Sequence, residues 1–155
     1  MRSQTGKIVR TAAATMVLLA GSALLARNHH QLNGTWVLMP ERSDFGEQAA
    51  IAAGMITIND REHNIYVDRN FTYGGPDESR SYSFSIDGRE NSKIRDGKTF
   101  KTKAKWDGDV LRVTTVNGNT MTEERFHLNP DGTLTLAVER PDHRIVTLFF
   151  QRQYR

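Results

Sequence analysis

The chain of 155 residues contains no cysteine. Disulfides and thiolate chemistry are therefore excluded, and a stable domain must rest on its apolar core whatever the redox state around it. A G-x-S-x-G elbow is missing too, and "GGP" at 74–76 is a loop rather than a strand-to-helix phosphate cradle. Neither serine acyl transfer nor nucleotide binding has a basis in the sequence. Histidines are sparse: His29 and His30 are adjacent rather than four apart, while His63, His127 and His143 fall near strand ends or on the outward register. Such positions converge on no metal, and nothing calls for a cofactor. Glu123 and Glu124 point to opposite faces of a strand, so they form no carboxylate dyad. This profile gives no support to an enzyme.

An excess of charge is missing as well, once the chain is divided. Arg2, Lys7 and Arg10 account for three of the 21 basic residues, and none of the 18 acidic residues falls before position 27, so residues 27–155 carry 18 of each sign. That balance argues against a dominant nucleic-acid or anionic-membrane footprint, both of which need positive potential.

The three early basic residues precede an uncharged run, "TAAATMVLLAGSALLA", from Thr11 to Ala26. A basic n-region, a short apolar stretch and small residues at its end mark a secretory signal peptide over 1–26, expected to be helical. Its apolar core is shorter than the roughly 20 residues that span a bilayer comfortably, so cleavage after Ala26, or after Ala23, is expected. Membrane contact is then limited to the uncleaved leader. "LLAGS" has the shape of a lipoprotein box with Ser22 where a cysteine must stand, so no lipid anchor forms. Export to a periplasm or to the outside follows, with 27–33 as a flexible lead-in and 34–155 as one monomeric domain.

What is abundant in that domain is alternation. Asp87-Gly88, Asp96-Gly97, Asp107-Gly108, Asn117-Gly118 and Asp131-Gly132 recur between short alternating runs. Asx-Gly pairs suit tight hairpin turns, and their regular spacing of roughly ten residues predicts a β-meander. Nine strands are predicted, near 34–39, 54–60, 63–71, 79–86, 98–106, 109–116, 119–128, 132–139 and 144–152. Asp44 and Glu47 have capping-box spacing for a short helix over 45–53 ended by Gly54; an irregular loop is the alternative. In "KTFKTKAKW", Phe100, Thr102, Ala104 and Trp106 share one face, while Lys101, Lys103 and Lys105 share the other, which must be solvated. A long meander with one greasy face and few helices buries that face by curling into an up-and-down antiparallel barrel of eight to ten strands.

Gly34-Thr35-Trp36 resembles the G-x-W signature on the first strand of lipocalins and the wider calycin group. The resemblance implies that Trp36 closes one barrel end, that Gly34 belongs to the same structural motif, and that a basic residue of the last strand lies across the indole. Arg152 in "FFQRQ" stands where that partner would be. More narrowly, "GTWVLMPERSDFG", "KWDGDVL", "LNPDGTL" and "FFQRQ" resemble small bacterial exported lipocalin-like proteins. The T-D-Y element of lipocalins proper is absent.

A calycin-like barrel implies a small apolar or amphipathic ligand held inside. Candidate ligand contacts are the inward-register residues Arg69, Tyr82, Thr102, Trp106, Thr115 and Glu124. A charge inside a barrel is costly unless paired or hydrated, so Arg69 and Glu124 either orient a ligand, pair with each other or reach water at a rim. Many inward rings, among them Trp36, Phe71, Phe84, Phe100, Trp106, Phe126 and Phe150, predict a crowded lumen with only a small cup. The alternative is a packed barrel acting as a cell-envelope interaction module or inhibitor through its loops and outer face.

Overall fold

The computed structural model describes residues 29–154. The leader expected over 1–26 lies outside them. Ten strands follow in order: β1 Gly34–Leu38, β2 Ala53–Arg61, β3 Asn64–Thr72, β4 Asp77–Ser85, β5 Asn91–Arg95, β6 Lys98–Asp107, β7 Val110–Asn117, β8 Thr120–Leu128, β9 Leu134–Glu139 and β10 Ile145–Arg152. Every neighbouring pair is antiparallel, and the sheet order is β4-β3-β2-β1-β10-β9-β8-β7-β6-β5. Pairing of β1 with β10 joins the first and last strands, and the sheet curls into an up-and-down barrel. The turn chemistry is as the dipeptides require: at the β5–β6 hairpin Asp96 and Gly97 both have positive φ, 51° and 71°. That is the type I′ geometry whose twist matches its strands.

The alternation places the core as the sequence predicts. Trp36, Ile56, Ile58, Ile65, Val67, Phe84, Ala104, Leu111, Val113, Phe126, Leu134, Leu136, Leu148 and Phe150 are buried, and no charged or polar residue is among the fully buried ones described.

Three local expectations give way. First, β5 is an extra strand: its residues, "NSKIR", are mostly exposed and Ile94 is 79 % exposed, so there is no alternation to read. Second, the edges do not all vanish, because β4 and β5 share no ladder and face one another across a seam. Lys93 Nζ crosses it to donate to the Ser83 hydroxyl at 3.1 Å and the Ser83 carbonyl at 3.4 Å. Third, residues 45–52 form an irregular loop rather than a helix. Asp44 Oδ1 accepts from the Gly46 amide at 2.9 Å, and Asp44 exchanges backbone hydrogen bonds with Thr147. The residue expected to start a helix instead makes a backbone bridge to β10, and its side chain caps a turn.

The end of the barrel at Trp36 is sealed. Its indole is fully buried and its Nε1 donates to the Leu32 carbonyl at 2.9 Å. Arg152 lies over the ring with Cζ 4.2 Å from the centroid, and its two terminal nitrogens donate to the carbonyls of Asn33 at 2.5 Å and Gln31 at 2.6 Å. Gly34 accounts for the first letter of the signature. Its φ is +132°, and a Cβ there would stand 2.8 Å from Arg152 Nη1. Only glycine admits both the backbone and the guanidinium. The segment before β1 takes part in the seal: His29–Leu32 is a short 3-10 helix, and Leu32 is only 2 % exposed. A tryptophan N–H buried at a barrel end needs an acceptor, and this segment supplies it.

Candidate functional site

The opposite half of the barrel holds a cavity of about 920 Å³ open to solvent. The sequence predicts a crowded lumen with only a small cup, and the size of the cavity corrects that. The error lies in counting rings without their height along the axis. Trp106 is six positions beyond Phe100 on β6, roughly 20 Å along an extended strand. It pairs with Leu111, which pairs in turn with Phe126, in the layer near the sealed end. At the height of Phe100 the inward positions of β6, β7 and β8 carry Thr102, Thr115, Thr122 and Glu124, which are smaller or polar and leave space. The packed-barrel alternative loses its premise with the same observation.

One wall of the cavity is apolar. Ile51, Phe71, Phe84, Val138, Val146 and Leu148 come from the loop after β1 and from β3, β4, β9 and β10. Phe71 stacks on Phe150 with centroids 6.4 Å apart at 21°, which fixes the boundary between cavity and packed core. Gly54 permits this, since a Cβ at that position would meet Phe71 Cδ1 at 2.7 Å.

A polar part of the lining reaches deep. Arg69 Nη1 donates to Glu124 Oε1 at 3.5 Å, a long single contact between side chains only 18 % and 15 % exposed. The same guanidinium lies over the rings of Phe71 at 5.2 Å and Tyr82 at 5.8 Å. The Tyr82 hydroxyl is buried with no hydrogen-bond partner among the described residues. Burial pushes the Tyr82 phenol well above its ordinary value, helped by the Glu124 charge and opposed by Arg69 and Arg80. Burial likewise raises the Glu124 carboxyl, with Arg69 and Arg80 pulling the other way. Both shifts say that charge in this corner is poorly solvated. Thr102 and Thr115 face each other at 3.4 Å nearby.

Of the six inward residues singled out from sequence, five therefore line this cavity: Arg69, Tyr82, Thr102, Thr115 and Glu124. Trp106 does not, and it packs against the core instead. Sequence reasoning also missed a set of wall residues nearer the mouth, namely Glu78, Arg80, Lys93, Arg95 and Arg140. Glu78 and Arg80 share the parity of Tyr82 and Phe84, so that signal was present. Lys93 and Arg95 lie on β5, whose lack of alternation hid them. Arg80 is paired with Glu78, Arg140 with Gln48, and Arg95 lies over Phe100 at 4.8 Å. Elsewhere His127 stands 3.5 Å from Asp109 and His143 3.2 Å from Glu139. No group of three or more His, Asp or Glu close enough to hold a metal occurs among the described residues.

The chain is thus an all-β meander barrel with one sealed end and one open, partly polar cavity. No protein-family model matches the chain, and no curated protein matches it. Solved structures do. A REP1-NXSQ fatty acid transporter is 17 % identical with a TM-score of 0.63 over 80 % of this chain and 97 % of that one. Fatty-acid-binding protein 1 of Echinococcus granulosus is 11 % identical with a TM-score of 0.64, covering 81 % and 99 %. Secretory abundant heat soluble protein 4 of Ramazzottius varieornatus is 14 % identical with a TM-score of 0.60, covering 80 % and 96 %. At these identities the likeness is one of fold: the chain shares the up-and-down antiparallel barrel of these structures.

Proposed function

We propose that this protein is a non-enzymatic carrier whose cavity holds a small amphipathic molecule with an aliphatic chain. The observation that carries the reading is the open space of about 920 Å³ in the half of the barrel away from Trp36. That volume falls within the roughly 300–1,000 Å³ typical of small-molecule sites, and such sites combine an apolar lining with a few placed polar groups. Ile51, Phe71, Val146 and Leu148 supply the lining, and Arg69, Tyr82 and Glu124 supply the polar groups. Two neighbours of the same fold bear the names of a fatty acid transporter and a fatty-acid-binding protein, which supports an acyl-chain ligand by analogy.

Native mass spectrometry of the protein purified from its own cells tests this. A retained small molecule, displaced by an excess of an apolar fluorescent dye, is the expected result. Absence of both a retained mass and saturable dye binding would refute it. The export that residues 1–26 suggest is a separate part of the proposal. N-terminal sequencing of the protein from fractionated cells is expected to read from Arg27 or Leu24 in an exported fraction, and a Met1 start confined to the cytosol would refute it.

A further inference from the structure

The buried polar corner of the cavity is charge-balanced before any ligand arrives. Arg69 is paired with Glu124, and Arg80, the next cation whose field reaches the corner, is paired with Glu78. The remaining cations of the wall, Lys93, Arg95 and Arg140, are on exposed residues at the mouth. Within the corner the Tyr82 hydroxyl is buried and has no hydrogen-bond partner among the described residues. A buried hydroxyl with nothing to bond costs free energy, so its natural complement is a ligand atom that restores the bond. The second oxygen of Glu124 is also open to a donor, because its Arg69 contact uses Oε1 alone among the bonds it makes.

We infer that this corner selects an uncharged head group able both to accept and to donate a hydrogen bond, an alcohol or primary amide on an aliphatic chain, and that Glu124 sets the selection against carboxylates. An alcohol oxygen accepts from the Tyr82 hydroxyl and its O–H donates to Glu124; a primary amide divides the same roles between its carbonyl and its NH2. A carboxylate can only accept. Placed there, it sets a second negative charge beside Glu124 while the single Arg69 guanidinium is already engaged, and like charges brought together out of water are strongly disfavoured. The inference rests on the carrier reading above and adds the head-group class to it.

Isothermal titration of the purified protein with dodecan-1-ol, dodecanamide and dodecanoate at pH 8 tests it, each below its aggregation limit. The neutral ligands are expected to bind at least about tenfold more tightly than dodecanoate, the size of effect a single like-charge contact produces. In Glu124→Gln, Arg69 loses its counter-ion, so the order is expected to reverse. Tyr82→Phe is the second arm. It is expected to weaken the alcohol by about fivefold while leaving the thermal midpoint of the unliganded protein unchanged or raised, because the lost hydroxyl has no partner to lose. A merely structural role for Tyr82 would lower the midpoint instead. Dodecanoate binding as tightly as the neutral ligands in the wild type, or an alcohol affinity indifferent to Tyr82→Phe, overturns the selection and leaves the carrier standing. No binding of any of the three overturns both.

Discussion

Replacing Trp36 by alanine tests the geometry on which the sealed end depends. The indole is fully buried, so its removal takes away a large apolar surface and leaves a void among Leu32, Ile56 and the neighbouring core side chains. Truncation of a buried aromatic costs roughly 3–5 kcal/mol. Two further losses push the value toward the top of that range. The Leu32 carbonyl loses the Nε1–H donor that it accepts at 2.9 Å, about 1 kcal/mol. Arg152 loses the ring beneath it, 4.2 Å away, also about 1 kcal/mol, though it keeps its carbonyl acceptors on Asn33 and Gln31. A loss near 5 kcal/mol is comparable to the whole stability of a marginal domain. Trp36→Phe separates the terms: it retains most of the buried area and is expected to cost roughly 1–2 kcal/mol, mostly the hydrogen bond and the poorer cation–π surface. Urea unfolding followed by far-ultraviolet circular dichroism gives both numbers by linear extrapolation, provided the slope is unchanged between variants. A loss below about 1 kcal/mol for Trp36→Ala, in the range of surface substitutions, would refute the plug and with it the reading of the G-x-W signature.

Gly34→Ala combines a left-handed backbone at φ +132° with a Cβ placed 2.8 Å from Arg152 Nη1, so a loss of roughly 2–3 kcal/mol is expected in the same urea assay; a change under about 0.5 kcal/mol would refute the close approach. Gly54→Val sets a side chain against Phe71 Cδ1, 2.7 Å from the Cβ position, and Leu38 Cβ at 3.3 Å, so overpacking of about 1–3 kcal/mol is expected, together with altered dye affinity because Phe71 forms the cavity boundary. The pH dependence has a definite sign. Burial raises the Glu124 carboxyl against the opposing pull of Arg69 and Arg80. The folded chain therefore holds that proton more tightly than the unfolded chain, and the stability it contributes is full below the ordinary carboxylate value and lost as pH rises through the raised one. The urea midpoint is expected to fall with rising pH over that window in the wild type and to stay flat there in Glu124→Gln; parallel curves would refute it. Asp87, Asp131 and Asp142 are shifted the other way, each lowered first by a hydrogen bond from Arg89, Thr133 and Arg144 respectively, so their contributions fade only below the ordinary value and do not overlap.

The barrel was legible wherever one face of a strand was apolar. "KTFKTKAKW" alternates without a break, and its Phe100, Thr102, Ala104 and Trp106 all turn inward while the lysines between them are exposed. Period two gives the face of a side chain but not its height along the barrel axis. That is why Thr102 and Trp106, on one face of one strand, look equivalent in sequence although only Thr102 reaches the cavity. Height follows from register, which is fixed by pairing partners far apart in sequence, such as Trp36 with Arg152. The fifth strand was illegible for another reason: an edge strand at a solvated seam buries neither face, so "NSKIR" carries no pattern. Asp44 and Glu47 had the spacing of a helix start, but a backbone bridge from Asp44 to Thr147 outweighed a short isolated helix.

The two halves of the molecule divide the physical work between them. Around Trp36 the inner surface is apolar and ring-filled, the last strand closes on the first, and the polar atoms of the plug are satisfied by Leu32, Asn33 and Gln31. Toward the mouth the same strands carry threonines, an ion pair and an unpartnered phenol, and here the ladder opens between β4 and β5. Open edges invite pairing with other chains, and these two resist it with charge: Asp77, Glu78 and Arg80 on one side, Lys93 and Arg95 on the other, with Lys93 itself occupying the Ser83 carbonyl. Side chains from both edges line the cavity, so the seam and the cavity share one rim. Zipping that seam into a ladder would pair the edges at the cost of the polar rim. The unpaired edges are thus tied to the cavity, while the opposite end is held by an indole, a guanidinium and the glycine that makes room for it.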